Sequence, residues 1–228
     1  DAAGFSMTKF TSTGSSGATV GHGLSAAPDF MLIKSIDDTG AWGVYHKSIG
    51  LPATTDGGLV LNTTASVNTA SDWWASTNPT STVFSLGNKD TVNPSGSKPM
   101  MAYCWRSISG YSAFGSYLGN DSNPGPFIYT GFKPRWIMIK NKDAGGSSYT
   151  KDWHIYDTER DSFNEVTKVL FANTNAGGNT YDASSDARPI DIVSNGFTIR
   201  ESDSNINTAI RYVYAAFAEH PYKTARAR

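Results

Sequence analysis

The sequence predicts an all-β protein, built as an internally duplicated antiparallel β-sandwich with at most one short helix. Three observations carry that expectation. A hairpin-like stretch occurs twice, short apolar runs alternate with turn-rich segments along the chain, and many aromatic and glycine residues combine with little charge. The repeated stretch is residues 22–46, HGLSAAPDFMLIKSIDDTGAWGVYH, which returns at residues 131–157 as GFKPRWIMIKNKDAGGSSYTKDWHIYD. The run from Pro28 to Lys34 lies on the run from Pro134 to Lys140. After a polar loop, Trp42-Gly43-Val44-Tyr45 lies on Trp153-His154-Ile155-Tyr156. An apolar run, a turn and then alternating aromatic and aliphatic residues is the pattern of a β-hairpin. A supersecondary unit that recurs in one chain marks an internal repeat.

The remaining elements follow the same comparison. Gly4-Phe5-Ser6 echoes Gly110-Tyr111-Ser112 and Phe10 echoes Tyr117, so copy one spans residues 1–109 and copy two residues 110–228. Phe30 to Ile33 and Trp136 to Ile139 are unbroken apolar runs, as expected of strands buried on both faces. Pro28 and Pro134 open these strands, where a missing amide N–H costs least. Residues 57–65, GGLVLNTTA, match Val169 to Thr174, and Val83-Phe84-Ser85-Leu86 matches Gly196-Phe197-Thr198-Ile199. Asn195-Gly196, between Val193 and Phe197, predicts a tight turn. The last strand of each copy, Met100 to Trp105 and Tyr212 to Ala218, sets Cys104 against Ala216. The cysteine therefore reads as a small buried apolar residue rather than a nucleophile. Helical spacing of Phe163, Val166 and Leu170 after Thr158 predicts the one short helix within residues 158–170. Six short strands per copy suit either two sandwiches or one larger jelly-roll or lectin-like sandwich. The copies meet without a linker at Ser109-Gly110 and are expected to pack closely.

Bulk properties exclude several classes. Hydrophobic residues are 39% of the 228 and charged residues 17%, with a net charge of −1. No global field draws such a chain to nucleic acid or an anionic membrane, and no 18-residue apolar run suits membrane insertion. One cysteine rules out an internal disulfide and points to synthesis in a reducing cytosol. The opening Asp1-Ala2-Ala3-Gly4 lacks the marks of a signal peptide, and a start without Met is expected of part of a longer polypeptide.

Among chemistries, His22, His46, His154 and His220 form no pair at metal-ligand spacing, so no zinc site is expected. Asp37, Asp38 and Asp143 occupy equivalent hairpin turns. Oxygen-rich turns leave calcium as the one cofactor to consider, although Asp and Gly also simply make turns. No nucleophile elbow, Cys–His signature or phosphate-cradling loop is present. Asp157, Glu159 and Asp161 alternate, so on a strand they share a face and offer carboxylates for glycoside hydrolysis; a charged turn explains them more simply. Binding a sugar asks for less: an exposed aromatic ring with hydrogen-bonding neighbours. Trp73 and Trp74 are the best candidates, because the matching stretch of copy two, near Ser184-Ser185-Asp186, has no aromatic residue; packing of both between the copies or against another subunit explains them more simply. Residues that break a repeat are better functional candidates than residues that keep it. The candidate ligand-binding set is Trp73, Trp74, Asp37 and Asp38. Trp42, Trp136, Trp153, Tyr45 and Tyr156 keep the repeat and are expected in the core.

Several longer motifs carry a family resemblance. They are Gly21-His22-Gly23-Leu24, Pro28-Asp29-Phe30, Trp42-x-Val44-Tyr45-His46, Phe114-Gly115-Ser116-Tyr117-x-Gly119-Asn120, Gly125-Pro126-Phe127-x-Tyr129-Thr130-Gly131-Phe132 and Ala215-Ala216-Phe217-Ala218-Glu219-x-Pro221. In this order they resemble a β-rich domain at the C-terminal end of tail-fibre, appendage and other structural proteins of tailed bacteriophages, many of them marine. One departure is Trp105-Arg106-Ser107, where copy two has Phe217-Ala218-Glu219. The resemblance implies a virion protein made in the bacterial cytosol and, by analogy, a homotrimer. With the tryptophan pair it leads to an expected non-enzymatic host-recognition domain that contacts cell-surface glycan and other virion proteins. A capsid-decorating or appendage-spacing module is the alternative, and a polysaccharide depolymerase the second alternative.

Overall fold

The structure is a computed structural model that describes residues 3–49, 57–69, 72–143, 151–174, 188–202 and 205–220. The chain divides into two compact units, Asp1–Ser107 and Ile108–Arg228. The division falls two residues before the copy boundary read from the sequence.

Unit 1 contains β1 (Phe5–Thr11), β2 (Ala18–Gly21), β3 (Phe30–Ser35), β4 (Gly43–His46), β5 (Leu59–Val60), β6 (Val83–Leu86) and β7 (Pro99–Trp105), with one 3₁₀ turn at Lys47–Ile49. Unit 2 contains β8 (Ser112–Leu118), β9 (Phe127–Tyr129), β10 (Pro134–Asn141), β11 (Trp153–Asp157), β12 (Val169–Phe171), β13 (Ile190–Val193), β14 (Gly196–Ile199) and β15 (Arg211–Ala218). The large sheet of unit 1 runs β1-β7-β3-β4-β5 and that of unit 2 runs β8-β15-β10-β11-β12, which is one order in both. The smaller sheets are β2-β6 and β9-β14-β13. All paired strands are antiparallel.

Register supports most of the residue matches. Met31 lies opposite Cys104, as Ile137 lies opposite Ala216. Phe10 lies opposite Met100, as Tyr117 lies opposite Tyr212. The first triplet slips by one, because Phe5 faces Trp105 whereas Ser112 faces Phe217. The tight turn of copy two also moves by one: Val193 pairs with Gly196, so Ser194-Asn195 form the loop and Gly196 begins the strand.

Each unit has its own core between its two sheets. In unit 1 Met31, Ile33, Met100, Ala102 and Cys104 of the large sheet meet Phe84 and Leu86 of β6. In unit 2 Ile137, Ile139, Tyr212 and Tyr214 meet Ile128, Ile190, Ile192, Phe197 and Ile199. Strands inside such a sandwich bury alternate residues, as the pattern of β7 shows. Burial pushes the Cys104 thiol up to about 12, so it is an inert packing residue at neutral pH. Tyr117 and Tyr156 keep their hydroxyls satisfied in the core by donating to the carbonyls of Ile206 and Arg188.

Two polar side chains repeat with the cores. Buried Asn93 accepts from the amides of Thr13 and Gly14 and donates to the carbonyls of Gly87 and Ser15. Buried Asn207 accepts from the Asn120 amide and donates to the carbonyls of Ser122 and Glu201. Each ties the loop after the first strand of its unit to the segment before the last strand. Buried backbone groups outside the ladders need such partners.

Three expectations are corrected. First, Trp73 and Trp74 are not surface residues: each is 1% exposed and belongs to the unit 1 core. The Trp74 indole donates to the Gly57 carbonyl at 3.0 Å and meets the Tyr45 ring edge-on. A Cβ on Gly58 would lie 2.3 Å from the Trp73 ring, so that glycine permits the close approach. Unit 2 fills its core with Ile190 and Ile192 of a third strand in the small sheet, whereas the described residues of unit 1 have two strands there. The indoles supply apolar volume on that side, which accounts for a pair without a repeat; the copy-two stretch at Ser184-Ser185-Asp186 lies outside the described residues. Second, residues 158–168 form turns and a single bridge at Val166 instead of a helix, and Val169 begins β12. Asp161 accepts from the Thr167 and Lys168 amides and Asn164 exchanges two hydrogen bonds with the Ile192 backbone. Asp161 thus takes backbone donors a helix would use, the competition that makes Asp poor in helix interiors, and Asn164 ties the turn to β13 instead. Third, Trp153, Tyr45 and Tyr156 are buried, but Trp42 and Trp136 are half-buried and belong to neither core. Trp42 stacks on Tyr103 and Trp136 packs on Phe217. Among the described residues no helix is long and apolar enough to cross a membrane.

Unit 2 buries a titratable group where unit 1 has none. His154 takes the register position of Gly43: it pairs with Ile139, as Gly43 pairs with Ile33. Burial, reinforced by the nearby Arg188 charge, lowers its pKa to about 3.

Two outcomes follow for stability. Trp74→Ala should lower the unfolding free energy of unit 1 by ~3–5 kcal/mol, the usual cost of truncating a buried Trp, measured by urea titration. The second concerns pH. The unfolded histidine binds a proton below about 6.5 and the folded one does not until about 3. Stability should therefore fall as pH drops from about 6.5 towards 3. The urea midpoint should decline between pH 7 and pH 4.5, and less steeply in His154→Gln.

Candidate functional site

The carboxylates singled out from sequence are largely committed to turns. Asp37 and Asp38 are exposed between β3 and β4. The Asp38 amide donates to Ser35 Oγ, its carbonyl accepts from Lys34 Nζ, and its carboxylate sits 3.5 Å from Lys98 Nζ. Asp38 lines a shallow cleft of about 300 Å³ with Ser35, Asp90 and Thr91, while Asp37 does not. Asp143 accepts from Lys142 Nζ and from the Arg211 amide. Among the described residues, no group of three or more His, Cys, Asp or Glu side chains is placed to hold a metal ion. His22 is fully buried, accepting from the Leu24 amide at Nδ1 with Nε2 3.1 Å from the Thr80 carbonyl, so it serves the fold.

Of the alternating trio, Asp157 accepts from the Glu159 amide and Asp161 closes the turn described above. Only Glu159 reaches across the fold, pairing with Arg135. That pair lies on a cleft of about 260 Å³ in unit 2. Its lining includes Val166 and Ile192, two members of the unit 2 core, so the cleft opens directly over the hydrophobic interior. Around them stand Lys133, Arg135, Glu159, Glu219 and Phe163.

Strand ends assemble this rim. The Glu219 amide donates to the Lys133 carbonyl and the Thr158 amide to the Arg135 carbonyl, extending the ladders of β10 with β15 and β11. The register of β10 against β15 shifts between Pro134 and Trp136, a one-residue irregularity at Arg135. Such irregularities re-aim side chains at sheet margins. Lys133 Nζ meets the Glu219 carboxylate at 2.9 Å. Hydrogen bonding to Lys133 is the main reason the Glu219 carboxyl is held below its ordinary value. The two carboxylates thus each face a cation. Glycoside cleavage needs one carboxylic acid kept protonated at working pH, and Glu219, held low by Lys133, is the opposite arrangement. Asn164, fixed by its bonds to Ile192, holds the turn from which Phe163 projects, 83% exposed.

A second feature lies on β9, the edge strand of the three-stranded sheet. Ile128 points into the core at 5% exposure, while its neighbours Phe127 and Tyr129 are 50% and 66% exposed. Alternation along a strand puts both rings on one outer face. They lie opposite Thr198 and Gly196. A Cβ on Gly196 would meet the Ile128 carbonyl at 2.1 Å and the Phe127 ring at 3.0 Å, so the glycine lets β9 and this ring come close. In unit 1 the corresponding β2 positions, opposite Ser85 and Val83, are Thr19 and Gly21. The exposed aromatic pair therefore breaks the repeat.

Sequence reasoning missed both features for different reasons. Phe127 and Tyr129 stood in a recognised motif, and comparison with Thr19 and Gly21 would have singled them out. The rim residues Lys133, Glu159 and Glu219 are too far apart in the chain to read as a cluster, because strand pairing alone joins them.

No curated protein and no solved structure shows a significant match to the chain. A family model described as a domain of unknown function, DUF7483, matches residues 1–221, and the chain belongs to that family.

Proposed function

We propose that the protein is a non-enzymatic glycan-binding module, the distal host-recognition domain of a tail fibre or appendage on a bacteriophage virion. The observation that carries the binding role is the pair Phe127 and Tyr129, two exposed rings on one sheet face where the other copy has Thr19 and Gly21. Apolar sugar faces stack on such rings, and aromatic platforms exposed to water are otherwise unfavourable on a monomer surface. The net charge of −1 fits recognition by stacking and hydrogen bonds rather than by field. The phage setting, the virion location and the homotrimer rest on the motif resemblance alone. The paired rim carboxylates speak for binding rather than depolymerisation.

A structural role in the capsid or as an appendage spacer is the second reading. It is favoured by Phe5 and Met7, 37% and 62% exposed on the edge strand β1, which a neighbouring virion protein could cover. Locating the domain on intact particles separates the two, because a position on the capsid lattice contradicts an adhesin.

The double substitution Phe127→Ala, Tyr129→Ala should weaken retention of the purified protein on host surface polysaccharide by about fivefold or more. Each ring contributes ~0.5–1.5 kcal/mol beyond buried area, and ~1.4 kcal/mol is a factor of ten. The urea midpoint should stay unchanged, since both rings are exposed. Undiminished retention would remove β9 from the binding surface.

A further inference from the structure

We infer that the cleft of unit 2 is a second binding site, one that takes a single uncharged, hydroxyl-rich ring such as a sugar residue. It extends the glycan-binding reading but stands on observations separate from β9.

Charge balance comes first. The rim carries two cations, Lys133 and Arg135, and two carboxylates, Glu159 and Glu219, each cation paired with a carboxylate. The four charges sum to zero and are already paired, so a charged ligand finds no net field to attract it. A hydroxyl group needs no such field. It donates to a carboxylate lone pair and accepts from an ammonium or guanidinium N–H while both ion pairs persist. Vicinal hydroxyls therefore match neighbouring donors and acceptors already held in place, and pre-organised groups lower the cost of binding.

Three further features point the same way. Phe163 stands at the cleft with its ring 83% exposed, giving an apolar face beside the polar rim. The volume of about 260 Å³ lies below the ~300–1,000 Å³ of pockets for drug-sized molecules, which suits one small ring. The floor of Val166 and Ile192 belongs to the core and is set by the fold.

The test uses the whole chain, isotope-labelled, followed by amide NMR. The probes are glucose, galactose, mannose and N-acetylglucosamine as neutral rings, with glucuronate and glucosamine as charged ones. At least one neutral sugar should shift the amides of Ser162, Phe163, Asn164 and Glu219 with saturable, millimolar binding, and should exceed both charged probes. Phe163→Ala, at an exposed position, should weaken that binding about fivefold. Lys133→Gln, which breaks one ion pair, should abolish the preference for neutral over cationic sugar. No saturable shift at these amides with any neutral sugar, stronger binding of a charged probe, or unchanged affinity in Phe163→Ala would each overturn the inference. Repeating the titration in the Phe127→Ala, Tyr129→Ala variant separates the two sites. Cleft binding that survives there while polysaccharide retention is lost supports two independent sites. Cleft binding with undiminished retention leaves the cleft standing and removes β9. Retention lost without any cleft binding removes the cleft alone.

Discussion

Each unit depends on its last strand pairing with its third. β7 lies between β1 and β3, and β15 between β8 and β10, so the large sheet of each unit is complete only when the end of that unit's sequence arrives. The pairing joins residues more than seventy positions apart in chain order, as Met31 with Cys104 and Ile137 with Ala216. Such contacts must offset loop-closure entropy before they stabilise anything. With a single cysteine, the chain has no covalent staple to do this. What holds the pairing is the apolar surface on its inner side, from Met31, Ile33, Met100 and Ala102 in unit 1 and from Ile137, Ile139, Tyr212 and Ala216 in unit 2. Asn93 and Asn207 then secure the loops beside those strands.

Given that frame, the two units spend their freedom differently. Unit 1 places bulky side chains inside, with Trp73 and Trp74 in the core and Thr19 and Gly21 outside on β2. Unit 2 completes its core with Ile190 and Ile192 and carries Phe127, Tyr129 and Phe163 outside. Both choices break the repeat, yet only one yields a surface. A break in a repeat shows that the local constraint has changed; burial decides whether the change serves packing or contact. Strand ends add a second kind of divergence. Asp29 of unit 1 pairs with Lys47 at 3.1 Å, whereas Arg135, its match in unit 2, pairs with Glu159, one residue beyond the match of Lys47, so an ion pair of reversed order forms at a neighbouring position.

The strand matches were legible because period-two burial leaves its mark on consecutive residues, as in Val83 to Leu86 and Gly196 to Ile199. Turn segments were less so. Residues 158–170 carried helical spacing at Phe163, Val166 and Leu170, but Asp161 and Asn164 bond to the backbone and hold the chain in turns, leaving Phe163 in solvent. The tryptophan pair is legible as an exception to the repeat, but the expectation that one ring faces outward fails, because adjacent residues oppose each other only on an extended strand. Residues 73–76 are bends and turns, where both indoles can face inward.

By itself the sequence determined the all-β class and the antiparallel hairpins, because these are local patterns of polarity and turn chemistry. It also determined the absence of an internal disulfide and the near-neutral charge, which are matters of counting. Only the tertiary structure decided which aromatic residues meet solvent, since exposure depends on what the opposite sheet supplies. It alone assembled Lys133, Arg135, Glu159 and Glu219 into one rim, since hydrogen-bonded ladders join the ends of β10, β11 and β15 from segments far apart in the chain.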